Sequence, residues 1–231
     1  IPLGDIAVHV GAAMAALDKF NITLKGSGGH AATPHNSADT LVTASLLVLA
    51  MQTIVSREID PLEPVIVSIG QLTAGSTYNA IADSAQLYGT VRTLTDSVRK
   101  RIPELIERKT IGVTEGTGTD YSFEYTFGYP PVMNDTAASK LVLRTCKAIL
   151  GDKHAQMADK PSMVGEDFAY YLEKVPGAIF LVGTGSRTPL HHPCFDFDET
   201  ALKIGVRAMT HIVVTALGSF SNSDCMQSTQ V

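Results

Sequence analysis

The sequence has few features that would place it in a special class of protein. Its three cysteines, Cys146, Cys194 and Cys225, are odd in number and far apart. That spacing indicates neither a disulfide framework nor a CxxC zinc knot. Free thiols suit a reducing compartment, so the expected location is the cytoplasm. No cluster of Lys and Arg marks a basic groove, and the net charge of -5 argues against a nucleic-acid partner. Long hydrophobic runs are scarce as well. The longest, "LVTASLLVLAMQTIV" at 41–55, is interrupted by Thr, Ser and Gln. It falls short of the roughly 20 apolar residues that span a bilayer, so a buried helix and no membrane partner are expected. There is no internal repeat, no low-complexity segment, no signal peptide and no initiator Met. The opening "IPLGDIAVHVG" has the texture of the middle of a protein or of a processed product.

What is present is ordinary globular material. Hydrophobic residues make up 45% and charged residues 18% of 231 positions, enough for one large domain or two small ones. Residues 19–25 alternate as a strand and break at "GSGG". A long helix is expected over 37–58, with Ser37 as its cap. Segments 64–72 and 84–94 are rich in Val and Ile and predict strands. Residues 96–109 carry Val98, Ile102, Leu105 and Ile106 at helical spacing, with Pro103 as a kink or a helix start. "DYSFEYTFGYPP" alternates and stops at a proline pair. Residues 18–127 therefore predict strand, helix, two strands, helix, strand, which is the split βαβ order. Beyond that, helices are expected at 135–150 and 165–175. A strand buried on both faces is expected in "GAIFLVGTG" (177–185). The last helix should start near Asp198 and Glu199, with an apolar stripe of Leu202, Val206, Met209, Ile212, Val213 and Ala216. This part is an α/β layer with too few strands for a sheet of its own, and 218–231 is a polar tail.

Several residues could carry chemistry. His191 and His192 sit between two prolines in "PLHHPCFDFDET". In an extended segment their side chains point to opposite faces, so one can face a site while the other packs or meets solvent. No HxD, HExxH or CxxC pattern accompanies them. The nearby acids are Glu166, Asp167, Asp196 and Asp198. By residue type alone the pair is as well explained as a loop feature. His30 follows glycines that let the backbone turn tightly, and a turn histidine explains it too. Asn79 in "GSTYNAIAD" fits turn chemistry or a binding role. Arg92 in "GTVRT" interrupts an apolar strand and must find an anion or solvent, because burying it bare is costly.

Taken in order, "ITLKGSGGHAATPH", "VSIGQLTAGSTYNAIAD", "LYGTVRT", "GYPPVMND", "SMVGEDFAYY" and "PLHHPCFDFDE" closely resemble the zinc-dependent aminoacylase and carboxypeptidase superfamily. The nearest branch is that of N-acyl-L-amino-acid amidohydrolases, hippurate hydrolases and auxin-conjugate hydrolases. The resemblance covers residues 1 to about 217. It implies an α/β fold: a partial zinc-exopeptidase-like catalytic domain (1–17 and 128–217) with an inserted α+β lid of ferredoxin-like βαββαβ order (18–127). The lid also pairs two subunits, so a homodimer is implied. By resemblance His191 is a metal ligand and His192 its non-ligating neighbour. His30 is a lid histidine that reaches the other subunit's site and polarises the scissile carbonyl. Asn79 and Arg92 hold the substrate's carboxylate, and Glu166 is a motif acid near the site. The implied activity is metal-dependent hydrolysis of N-acyl amino acids or dipeptide-like substrates with one or two ions of zinc, manganese or cobalt. The family's N-terminal metal ligands are not found in this sequence. The chain alone is therefore expected to be inactive, with no metal of its own. The alternative is a non-catalytic dimerisation or ligand-binding module of the same descent.

Overall fold

The computed structural model describes residues 1–227, with side chains to residue 218. The chain forms two compact units. One comprises Ile1–Ala13, Val132–Pro161 and Tyr170–Val231, and the other Met14–Pro131 with Ser162–Ala169. The divisions thus fall at 13/14 and 131/132, a few residues outside the 18–127 lid expected from sequence.

The chain opens with β1 (Ile6–Val8) and β2 (Gly11–Met14) and then enters the second unit. There β3 (Ala16–Lys25) turns Ala16, Asp18, Phe20, Ile22 and Leu24 inward, with the residues between them facing the other way. It lies in an antiparallel sheet with β5 (Val65–Ala74), β7 (Ser84–Thr93) and β8 (Asp120–Thr126), in the order β5-β7-β3-β8. Two helices, α1 (Thr40–Thr53) and α2 (Asp96–Thr117), share one core with the inward residues of the sheet. Leu47, Met51, Leu87, Ile102 and Ile106 are fully buried in it or nearly so. Beyond the Lys25–Ser84 end of the sheet, β4 (Gly29–His30) pairs with β6 (Ala80–Ile81).

Two expectations change here. Asp39, not Ser37, caps α1: its carboxylate accepts from the N–H groups of Leu41 and Val42. The reason is the bridge between Ser27 and Ala38, which keeps the chain extended past residue 37. Next, α2 runs on to Thr117, because Ile106, Thr110 and Thr114 continue its buried stripe, and Gly118 with φ 70° ends it. Pro103 lies inside the helix and does not start it. The helix expected to reach residue 58 does so, α1 continuing through a π turn at Ile54–Glu58. By length and composition alone Thr40–Glu58 and Thr200–Gly218 are long and apolar enough to cross a membrane. The first of these puts Leu47, Met51 and Ile54 in the core of the unit.

In the first unit β1 is the middle strand. It runs parallel to β10 (Ala155–Met157) and antiparallel to β11 (Phe180–Val182). A further short strand, β9 (Val132–Asn134), pairs with β2. Helix α3 (Thr136–Leu150), capped by Asp135, buries Val142 and Cys146 against Ile6, Val8 and Ala155. The strand β11 is not buried on both faces: it ends the order β10-β1-β11 and Leu181 is 45% exposed. The helix expected at 165–175 shrinks to α4 (Ala169–Leu172). The N–H of Ala15 bonds the carbonyls of Ser162 and Val164, which ties down the chain just before it. Helix α5 (Thr200–Gln227) enters the segment expected as a tail; residues 228–231 lie outside the described residues. Its buried face is built on Ala201 and Ala208, with Ile212 beside them, whereas Leu202, Val206, Met209 and Val213 of the expected stripe are exposed.

Candidate functional site

His30 and Asn79 come together. His30 pairs with Ala80 across β4 and β6, and the Ala31 N–H donates to the Asn79 carbonyl at 3.1 Å. The Asn79 side-chain oxygen accepts from the Thr77 hydroxyl at 3.0 Å, which leaves its amide N–H₂ as the donor end. The Nδ1 atom of His30 accepts from the Ala32 N–H at 3.0 Å. A neutral imidazole with an accepting Nδ1 carries its proton on Nε2. The exposed His30 ring is thus a fixed hydrogen-bond donor.

Arg92 lies elsewhere. It is opposite Leu17 on β3 and Ile66 on β5, at the far end of the sheet. Eight residues of β7 separate it from Ser84, about 26 Å at roughly 3.3 Å per residue. His30 and Asn79 lie beyond the Ser84 end. The segment of Glu166 meets the Arg92 end: a side chain at Gly165 would stand 3.3 Å from an Arg92 guanidinium nitrogen. Glu166 itself is half-buried, and its carboxylate accepts a long bond, 3.4 Å, from the Phe168 N–H.

In the other unit, His191 adopts φ 66°, the only positive φ outside glycine among the described residues. That left-handed conformation is uncommon for a residue with a Cβ, and such outliers gather at functional sites. It also means that the pair is not simply extended. The ring of His192 is used locally, accepting from the Cys194 N–H at 3.0 Å, while His191 is exposed. Among the described residues no group of three or more His, Cys, Asp or Glu side chains could hold a metal ion. A catalytic zinc takes about three protein ligands, so these residues do not make a metal centre by themselves.

The sequence reading missed a buried ionic cluster. Asp18 is wholly buried and accepts from Arg99 Nη2 at 2.7 Å, Arg99 Nε at 3.0 Å, the Tyr125 hydroxyl at 3.0 Å and the Gly128 N–H at 2.9 Å. Arg99 also donates to the Gly128 carbonyl and lies over the Phe127 ring. Burial works against the Arg99 charge, but the Asp18 carboxylate outweighs it and holds the guanidinium pKa above its usual value. Burial, reinforced by that carboxylate, pushes the Tyr125 phenol far up. The signal was there: an Asp at an inward position of an alternating strand needs a buried cation.

Comparison with known proteins identifies the family. The model of the peptidase family M20/M25/M40 matches residues 2–215, and the chain belongs to that family. It is 40% identical over 204 residues to the N-acetyl-L-cysteine deacetylase of Bacillus subtilis, covering 87% of this chain and 48% of that protein. To the N-acetyldiaminopimelate deacetylase of Streptococcus sanguinis it is 39% identical over 212 residues, covering 89% and 54%. Among solved structures it is similar to the Bacillus subtilis YXEP protein, described as a dinuclear metal binding peptidase. There the identity is 32%, the TM-score 0.77, and the coverage 94% of this chain and 55% of that one. The chain thus spans about half the length of the relatives it matches.

Proposed function

We propose that the complete protein is a metal-dependent amidohydrolase acting on N-acyl amino acids or dipeptide-like substrates. It works as a homodimer paired through the Met14–Pro131 unit, which serves as the lid. The observation that supports this reading is the separation of His30 and Asn79 from Arg92 by the length of β7. A small substrate cannot touch both ends. Two copies paired through the sheet unit let one copy's His30 and Asn79 meet the other copy's Arg92. The Arg92 fork and the Asn79 amide hold the substrate carboxylate. The Nε2–H of His30 donates to the amide oxygen as negative charge develops there. His191 contributes one ligand to a set completed by residues beyond this chain, for one or two ions of zinc, manganese or cobalt. Glu166 is an acid of the same site. The protein works in solution in the cytoplasm, without nucleic acid or membrane.

The test is release of acetate from N-acetyl-L-amino acids, with and without a chelator. It compares the 231-residue chain with a protein extended to the length of its relatives. The reading expects chelator-sensitive hydrolysis by the extended protein and none by the chain alone. Hydrolysis by the isolated chain, or hydrolysis that survives chelation, contradicts it. A second reading is a non-catalytic dimerisation or ligand-binding module of the same descent. An extended protein that binds the substrate carboxylate without hydrolysing the amide would support that reading.

A further inference from the structure

The sheet of the second unit buries one face under α1 and α2, and its other face is open except where the Gly165 segment lies against Leu17 and Arg92. On that open face lies a pocket of about 420 Å³ whose polar lining is Lys19, Gln71, Tyr88, Thr90 and Arg92. The strand register explains their meeting. Leu17 faces Arg92 and Lys19 faces Thr90, so Arg92 and Lys19 are diagonal neighbours on one face, with Cβ atoms roughly 7 Å apart. Gln71 arrives by a different device. The ladder between β5 and β7 steps from Ile69–Gly89 to Gln71–Tyr88, leaving Gly70 as an extra residue. Without that bulge, Gln71 would follow Ile69 onto the core side; the one-residue slip turns it outward beside Tyr88.

The charges have no internal answer. No Asp or Glu lines the pocket. Neither Lys19 nor Arg92 makes an ion pair among the described residues. The nearest acids are Glu124, opposite Asn21 by register, and Glu166, beside Gly165, and neither forms an ion pair with Lys19 or Arg92. Two unpaired cations side by side repel each other until an anion joins them. The geometry points to a site for a dianion: Arg92 takes one carboxylate and Lys19 a second, with the Gln71 amide and the Tyr88 hydroxyl donating hydrogen bonds. The favoured substrates are then N-acyl derivatives of dicarboxylic amino acids over those with a single carboxylate. This deepens the proposed function and rests on its reading of Arg92 as the residue that holds the substrate carboxylate.

The experiment is a nuclear magnetic resonance titration of the 231-residue chain with succinate and with acetate, at one fixed ionic strength. A second charge-assisted hydrogen bond corresponds to at least about tenfold in affinity, so succinate should bind about ten times more tightly than acetate. Lys19→Gln, at an exposed position, should abolish that difference, with an unaltered unfolding midpoint. Arg92→Gln should weaken both anions. Equal binding of the two anions by the unmodified chain, or a Lys19→Gln variant that keeps the preference, overturns the dianion site. If Arg92→Gln binds both anions as before, the carboxylate role of Arg92 fails too. No binding of either anion to the unmodified chain overturns both.

Discussion

His30 and Arg92 belong to the same small unit, yet Arg92 stands at one end of its sheet and His30 beyond the other, with about 26 Å of β7 between Ser84 and Arg92 alone. Under the proposed function one chain can therefore bring either His30 with Asn79 or Arg92 to a given substrate, not both. The proposed site residues fall into two groups, and the pairing of two chains is part of the proposed chemistry.

Between these ends the unit depends on its buried ion pair. Asp18→Ala leaves Arg99 buried without its carboxylate, and the expected loss is about 3–5 kcal/mol. Urea unfolding of the isolated chain measures it. The double variant Asp18→Leu with Arg99→Met should recover most of that loss, since well-packed apolar replacements of buried pairs are often neutral. A single variant as stable as the original would show that the pair carries little.

The same cluster predicts the alkaline limit of stability. The Tyr125 phenol is held neutral by burial and by Asp18, so its pKa in the folded chain lies far above the ordinary 10. A raised pKa gives stability that is complete below the unfolded value and is lost as pH rises toward the folded one. Stability should fall progressively above pH 10, and Tyr125→Phe should flatten that fall. The check is the unfolding midpoint from pH 8 to 11, with equal slopes for both proteins as the contrary result.

In the other unit Asn134 ties three segments together. Its Nδ2 donates to the carbonyls of His9 and Ile179 at 2.7 and 2.9 Å, and its Oδ1 accepts from the Ile179 N–H at 2.9 Å. Asn134→Ala strands these buried groups and should cost about 2–3 kcal/mol. Asn134→Asp should be at least as damaging, because a carboxylate then faces two carbonyl oxygens. Denaturant unfolding that leaves both variants as stable as the original rules out this tie.

Much of this organisation was legible in the sequence, and the failures have physical causes. The alternation around Phe20, Ile22 and Leu24 and the helical spacing of Val98, Ile102 and Ile106 come from burial on one face, which local pattern records. Strands of two to four residues such as β4, β6 and β10 carry too few positions for a pattern. The Asp18–Arg99 pair joins positions 81 apart, which no local window sees. On α5 the large apolar residues suggested the buried face, but Ala201 and Ala208 form it, because close packing on α3 favours small side chains. The six ordered motifs identified the family. That His30 and Arg92 lie far apart in one chain became visible only from the strand register.

The central claim is that each site draws on two chains, and complementation tests it most directly. His30→Ala and Arg92→Ala variants of the family-length protein are each expected to be nearly inactive. Mixed in equal amounts and allowed to exchange subunits, half of the dimers become hybrids, each with one intact site. About a quarter of the original activity should then return. Activity no higher than the mean of the two separate variants would mean that both residues serve the same chain's site, and the two-chain account would be wrong.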